Sequence, residues 1–200
     1  MPLEARKTGY RYGKEAWVFQ NVNMELHPGE AVGLWGPSGC GKTSLGRILA
    51  GYAKPMTGQV LLDGNPLPQT GTCPVQLVFQ HPEKAVNPRW RMRRVLKEAA
   101  IEDQELLDAL GIQENWLDRR PGELSGGELQ RFCVARALGT ATRYLIADEM
   151  TTMLDAITQA QIWHTVMNIA RQRNLGLLVI SHDRELLDRL CDRIVQMPTS

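Results

Sequence analysis

Eight residues in the first quarter of the chain have the types and spacing of a loop that holds phosphate groups. They are Gly36, Pro37, Ser38, Gly39, Cys40, Gly41, Lys42 and Thr43. Glycines let the backbone wrap closely around a polyphosphate, so that successive N–H groups point inward. A lysine at this spacing reaches the outer phosphates, and the hydroxyl that follows it can bind Mg²⁺. We therefore predict a phosphate-binding loop in which Lys42 and Thr43 carry the chemistry.

A second pattern suited to anions lies at Ser125, Gly126, Gly127 and Glu128. Ser125 and Glu128 have the spacing of a capping box, which predicts the start of a helix. The two glycines weaken that helix but leave its first N–H groups accessible to an anion. The chain therefore has a second predicted phosphate-binding segment.

Two acids follow the apolar run Tyr144–Ala147, which predicts a buried strand. Ligands of α/β proteins bind at the carboxyl ends of the strands, where Asp148 and Glu149 would lie. We expect Asp148 to hold Mg²⁺ opposite Thr43. We expect Glu149 to polarise the attacking water as a general base. Gln80 ends another predicted strand, Val75–Phe79, and is expected to contact Mg²⁺ or the water.

These residues need strands and helices to position them. The apolar run Ala31–Trp35 predicts a buried strand before the loop, and Thr43–Ala50 predicts a helix closed by Gly51. Strands are also expected from about Tyr10 to Leu26. A helical pattern runs from Arg91 to Leu117, and strands alternate with helices beyond it. This alternation predicts a mainly parallel sheet with both faces covered.

The motifs and their order resemble the ATP-binding subunit of an ABC transporter, over nearly the whole chain. Besides the loop and the segment at Ser125, the resemblance rests on Tyr144–Glu149 as the Walker B strand, on Gln80 as the Q-loop residue, on Leu154-Asp155 as the D-loop and on His182 as the switch histidine. It implies a single domain over residues 1–200, with a P-loop NTPase core of α/β class. N-terminal antiparallel strands and a small α-helical insert at about residues 83–123 complete the implied fold.

The resemblance also implies roles for individual residues. Glu149, His182 and Gln80 would be catalytic, and Thr43, Gln80 and Asp148 would hold Mg²⁺. Tyr12 would stack on adenine, with Tyr10 and Trp17 as alternatives. The residues implied to contact ATP are Tyr12, Gly36, Pro37, Ser38, Gly39, Cys40, Gly41, Lys42, Thr43, Ser44, Ser125, Gly126, Gly127 and Glu128.

The same resemblance implies several partners. Ser125 and Gly127 would face the phosphate-binding loop of a second ATP-binding subunit, identical or related, so that two ATP molecules lie between two chains. Transmembrane permease subunits and a solute-binding protein would complete an importer, with this chain peripheral on the cytoplasmic face of the membrane. The segments Phe79–Pro82 and Ala85–Arg89 are similar to the subgroup that imports peptides and nickel. Met150 departs from the family, which usually has proline there.

Composition excludes several other classes. A formal net charge of +1 gives no overall nucleic-acid footprint, and four widely spaced cysteines suit reduced thiols rather than zinc. We expect no signal peptide at the start, and the apolar runs are shorter than a membrane helix, so a role in transport would require another chain to span the membrane. A soluble ABC-type ATPase that acts on DNA, or in another non-transport process, is the alternative. Such enzymes carry long coiled coils between the two phosphate motifs, whereas this interval has only a short helical patch.

Overall fold

The computed structural model describes residues 1–13, 15–68 and 70–198, so the predicted domain 1–200 extends slightly beyond the described residues. The strands are β1 (Leu3–Arg11), β2 (Trp17–Leu26), β3 (Ala31–Trp35), β4 (Thr57–Leu62), β5 (Asn65–Pro66), β6 (Val75–Val78), β7 (Tyr144–Asp148), β8 (Gly176–Ile180) and β9 (Arg193–Gln196). The helices are α1 (Lys42–Leu49), α2 (Met92–Glu98), α3 (Gln104–Ala109), α4 (Gly126–Ala137), α5 (Ala156–Gln172) and α6 (Arg184–Leu190).

The predicted parallel sheet is confirmed. Its order is β6-β7-β8-β3-β9, and every neighbouring pair is parallel. Residues of β7 and β8 are buried throughout, which explains why these strands are continuous apolar runs in the sequence. Their side chains alternate between two cores: Tyr144 and Ile146 pack on one face, and Leu145 and Ala147 on the other.

The antiparallel sheet has the order β2-β1-β4-β5. Its first strand begins at Leu3, so the predicted start near Tyr10 was wrong. The register of β1 against β2 shifts between Ala5 and Thr8 and again beyond Thr8, and Lys7 has a left-handed φ of 49°. These irregularities break the period-two alternation from which a strand is predicted.

The helical pattern from Arg91 to Leu117 is not one helix. It is divided into α2, α3 and a 3₁₀ turn at Glu114–Trp116, because Ala100 and Gly111 take positive φ values of 54° and 65°. These elements lie between β6 and α4, as expected of an insert, while the boundaries at residues 83 and 123 stay a prediction. No helix among the described residues combines the length and apolarity needed to cross a bilayer.

The parallel sheet separates two hydrophobic cores. One core fills the space between this sheet, α1 and the antiparallel strands, with Phe19, Leu45 and Ile48 at most 1% exposed. The other core packs α2 to α6 on the opposite face, around Phe132 and Val166, which are fully buried. The carboxyl ends of β3, β6, β7 and β8 meet at one edge of the sheet, and the candidate site lies there.

Candidate nucleotide-binding site

Helix α1 begins directly at the phosphate-binding loop. Its first residue is Lys42, one position earlier than predicted, and Gly41 precedes it with a left-handed φ of 98°. No side chain caps this end, and the first turn has no acidic residue. By contrast, α3, α4, α5 and α6 are capped by Asp103, Ser125, Asp155 and Asp183. The first N–H groups of α1 and its positive dipole end are therefore available to an anion.

The loop packs tightly against β2 at Gly41, where a side chain would not fit. A Cβ atom on Gly41 would come within 2.7 Å of side-chain atoms of Val18 and Phe19 in β2. Lys42 Nζ donates to the carbonyl oxygens of Gly36 (2.7 Å) and Pro37 (2.9 Å). The ammonium group thus lies within the loop, where a polyphosphate wrapped by the loop would meet it.

Two oxygen ligands for a hard cation lie side by side at the edge of the sheet. Thr43 Oγ1 donates to Asp148 Oδ1 at 3.1 Å. Burial raises the pKa of the Asp148 carboxyl, the Thr43 hydroxyl partly opposes this, and the neighbouring charge of Glu149 adds to it. A divalent cation would favour the ionised carboxylate, and Mg²⁺ prefers such oxygen ligands. The pair therefore fits the predicted magnesium site.

Glu149 is held by its backbone in an unusual conformation. Its φ is 47°, in the left-handed region that non-glycine residues rarely adopt. Its N–H donates to the Ile180 carbonyl at 3.0 Å, at the end of β8. His182 Nδ1 donates to Glu149 Oε1 at 3.2 Å. Since a carboxylate only accepts hydrogen bonds, Nδ1 carries the proton, and Nε2 is left for a substrate group. Such strain at a candidate catalytic residue is typical of a functional site.

Gln80 does not hydrogen-bond to Asp148 or Glu149. Its Nε2 atom donates to Thr152 Oγ1 at 3.4 Å, and that hydroxyl donates to the Glu149 carbonyl at 3.0 Å. Thr152 therefore connects the Q-loop to the turn that presents Glu149. The sequence prediction missed Thr152, because a threonine three residues after a catalytic acid carries no signal of its own.

Among the aromatic candidates for adenine, Tyr12 contacts the residue that directly follows the loop. Its hydroxyl and Ser44 Oγ, on α1, are 2.9 Å apart. Half of Tyr12 is exposed, and Tyr10 packs edge-on against it at 5.1 Å. The Trp17 ring is covered by the guanidinium of Arg11 at 5.0 Å. Tyr12 therefore borders the C-terminal end of the loop, and its assignment to adenine stays a prediction.

The second phosphate-binding segment forms the predicted cap of α4. Ser125 Oγ accepts from Glu128 N (3.2 Å), and Glu128 Oε2 accepts from Ser125 N (2.7 Å). A Cβ atom on Gly126 would meet nothing within 4 Å, and one on Gly127 would touch Leu154 and Thr158. Within the described residues, the side chains of Ser125 and Glu128 hydrogen-bond only to this cap. The structure therefore brings together the loop, Asp148, Glu149 and His182, and joins no member of this cap to them by a hydrogen bond.

Comparisons with known proteins agree with this geometry. The family model described as "ABC transporter" matches residues 19–152. The nickel import ATP-binding protein NikE of Escherichia coli K12 is 36% identical over 199 residues, covering 90% of this chain and 74% of NikE. NikE of Shigella sonnei matches equally well.

Solved structures show the same architecture. A dimeric ATP-binding cassette, MJ0796, in a post-hydrolysis state with ADP and phosphate, superposes with a TM-score of 0.83. It is 25% identical, and the match covers 98% of this chain and 94% of the cassette. CbiO1 of Clostridium perfringens, part of an ABC transporter complex, superposes at 0.80 with 23% identity, covering 98% of this chain and 84% of CbiO1. The chain belongs to the ABC transporter family, as one of its ATP-hydrolysing cassettes.

Proposed function

We propose that this ATPase powers an importer for nickel or a nickel complex through a separate membrane subunit. The ATPase part of the proposal is carried by the pairing of Thr43 with Asp148 beside the contact of His182 with Glu149. NikE, a nickel import protein, favours nickel over peptides as the cargo. The DNA-acting alternative lacks support, because α2 and α3 have only 7 and 6 residues and form no coiled coil.

Hydrolysis is divided among residues of this chain. The loop and Lys42 hold the phosphates, and Thr43 and Asp148 would hold Mg²⁺. When bound, Mg²⁺ supplies charge neutralisation to the phosphate oxygens. Glu149 accepts the proton of the attacking water, and His182 orients its carboxylate through Nδ1. Gln80 and Thr152 position the water by fixing the turn that carries Glu149.

A complete site takes a second subunit. Ser125 and Gly127 would contact the ATP held by the loop of a partner chain, which is consistent with the dimeric cassette of similar fold. Closing this dimer on ATP and opening it after hydrolysis would produce the movement that drives transport. The chain would then sit peripherally on the cytoplasmic face of the membrane, beneath a permease supplied with cargo by a solute-binding protein.

The permease would dock beside the Q-loop. A groove of about 300 Å³ there is lined by Tyr52, Phe79, Lys84 and Arg136. Tyr52 is 60% exposed and packs edge-on against Phe79 at 5.5 Å, which makes it an aromatic anchor for a partner.

The basic segment next to the groove is only partly available to that partner. Arg91 and Arg93 already pair with Asp118, and Arg94 stacks on Trp90 at 4.2 Å. In the described part of the chain, Lys84 and Arg89 form no ion pair. We therefore propose that, within the segment His81–Arg94, the permease contacts Lys84, Arg89 and the exposed part of Trp90.

Cellular uptake tests the cargo. Cells that express Glu149→Gln in place of the natural chain should accumulate less nickel and grow normally on peptides as their nitrogen source. The docking variant Arg89→Ala with Trp90→Ala should also lose nickel uptake, although the purified chain still binds ATP. An Arg189→Ala chain, which removes an exposed arginine of α6 outside this segment, serves as the control. Unchanged nickel uptake with lost peptide uptake would contradict nickel as the cargo.

A further inference from the structure

Three side chains on one face of α4 hold three backbone carbonyls of the segment that begins with the Q-loop. Gln130 Nε2 donates to Phe79 O (3.3 Å), Cys133 Sγ to Pro82 O (3.7 Å) and Arg136 Nη1 to Ala85 O (2.6 Å). Each donor lies 51 residues after its acceptor. We call this set of three bonds the carbonyl ladder.

The constant offset means that α4 and the segment Phe79–Ala85 run parallel and in register. Residues three apart on a helix share one face, so a single face of α4 carries all three donors. Burial raises the pKa of Cys133 to about 12, and its thiol therefore keeps the proton that it donates. Arg136 also pairs with Glu98 of α2 at 3.4 Å, which secures the last bond of the ladder. The segment is thus tied to α4 along its whole length.

The side chain of Gln130 is expected to lower the stability of the fold. Its side chain is 1% exposed, and its Oε1 atom has no hydrogen-bond partner in the described residues. A buried amide with one unsatisfied atom is less favourable than an apolar side chain of the same size. The bond that Gln130 does make holds the carbonyl directly before Gln80. This placement indicates that Gln130 holds Gln80 in position.

The ladder completes a continuous chain of contacts across the molecule. It begins at α4, whose first turn is capped by Ser125, and passes through Gln130 to Phe79 and Gln80. Gln80 then reaches Thr152, whose hydroxyl holds the carbonyl of Glu149. We propose that Gln130 and Arg136 are positioning residues for ATP hydrolysis, because the ladder makes the Ser125 end of α4 and Gln80 move as one body. This inference rests on the proposed role of Gln80.

The test compares Gln130→Met and Arg136→Met with a matched control, Arg131→Met. Arg131 lies on the same helix and also donates to a backbone carbonyl, but to Leu110, and to Gln161 Oε1 (2.8 Å). The ladder variants should lower kcat roughly 3- to 30-fold while leaving the Kd for ATP unchanged. Amide hydrogen exchange of residues 79–85 should become faster in both. The Arg131 control should change neither quantity.

A double-mutant cycle shows whether the ladder acts through Gln80. In a Gln80→Ala background, Gln130→Met should cause no further loss of kcat. Independent, multiplying losses would overturn the inference, and so would a lower Tm with unchanged kcat, which would make the ladder merely structural. If Gln80→Ala alone keeps the natural kcat, the role of Gln80 is contradicted instead. Amide exchange of residues 79–85 in the ladder variants then tests whether the ladder holds this segment. Unchanged exchange would overturn the inference.

Discussion

Helices α1 and α4 both begin at glycine-rich phosphate motifs, but the two ends are built differently. The start of α1 has no side-chain cap and is surrounded by groups from distant parts of the chain, among them Asp148 and Tyr12. The start of α4 is closed by its own capping box, and Gly126 borders open space. The start of α1 is therefore enclosed by other parts of the chain, whereas the start of α4 is capped by its own side chains and borders open space.

The difference is consistent with the proposal that one chain carries halves of two different sites. The uncapped start of α1 leaves its N–H groups free for an anion, and Lys42, Thr43 and Asp148 lie beside it. A capped end stays folded without any anion, so α4 can remain in place while the dimer is open. The comparison therefore predicts that substitutions at the start of α1 weaken ATP binding by the isolated chain. Substitutions at the start of α4 should lower activity only in the assembled dimer.

The largest effect is expected at Glu149. The change Glu149→Gln removes the proton acceptor but keeps size and hydrogen bonding, so kcat should fall about 10²- to 10⁴-fold. ATP binding, measured by calorimetry, should persist, and the closed dimer should accumulate in gel filtration with ATP. Single-turnover hydrolysis close to the natural rate would refute the general-base role.

The next effect separates the two helix starts. Lys42→Ala removes charge-assisted bonds to phosphate that are each worth about 1.5–3 kcal/mol, so the Kd for ATP should rise tenfold or more. Ser125→Ala should leave this Kd unchanged in the monomer and lower kcat only where dimers form. Calorimetry at a concentration that keeps the chain monomeric makes the comparison. Equal losses of affinity in both variants would contradict the assignment of Ser125 to a partner's ATP.

Alanine at Gly126 or Gly127 should raise stability but lower ATPase activity. Gly126→Ala meets open space, and Gly127→Ala meets Thr158 Cγ2 at 3.4 Å, an ordinary contact. Since alanine favours helix more than glycine, each change should stabilise the chain by up to about 1 kcal/mol. ATPase activity should nevertheless fall, because each methyl group narrows the approach of a phosphate. Higher Tm with full activity would show that these glycines serve no ligand.

The smallest effect is expected on stability, at an ion pair that contacts neither helix start. The Arg143 guanidinium bonds Asp63 at 2.6 Å and holds the pKa of that carboxyl below its ordinary 3.8. Its stabilisation is therefore present above pH 3.8 and is lost as the pH falls through the lower, folded-state pKa. Because the pair is partly exposed, Asp63→Asn should cost at most about 1 kcal/mol at neutral pH. Thermal unfolding should show this difference shrinking as the pH falls below 3.8, and a difference independent of pH would exclude the ion pair as its cause.

Site residues that lie in one local sequence motif can be predicted from the sequence better than residues whose roles depend on tertiary contacts. The loop at Gly36–Thr43, Asp148 and Glu149 could be placed because their types, spacing and neighbouring apolar strands form one local pattern. The parallel sheet followed from the same apolar runs. Gln130 and Thr152 were missed, since their roles depend on partners that only the folded register brings near. The start of β1 was missed because its bulges remove the alternation of buried and exposed residues.

The left-handed backbone of Glu149 sets a limit on engineering this enzyme. Glycine tolerates a φ of 47° far better than glutamate, so Glu149→Gly would relieve conformational strain of about 1 kcal/mol or more while removing the carboxylate that we propose as the general base. A selection for thermal tolerance alone would therefore favour loss of the proposed general base at this position. Libraries designed to make the protein more durable should hold codon 149 constant, because here durability and turnover are in direct conflict.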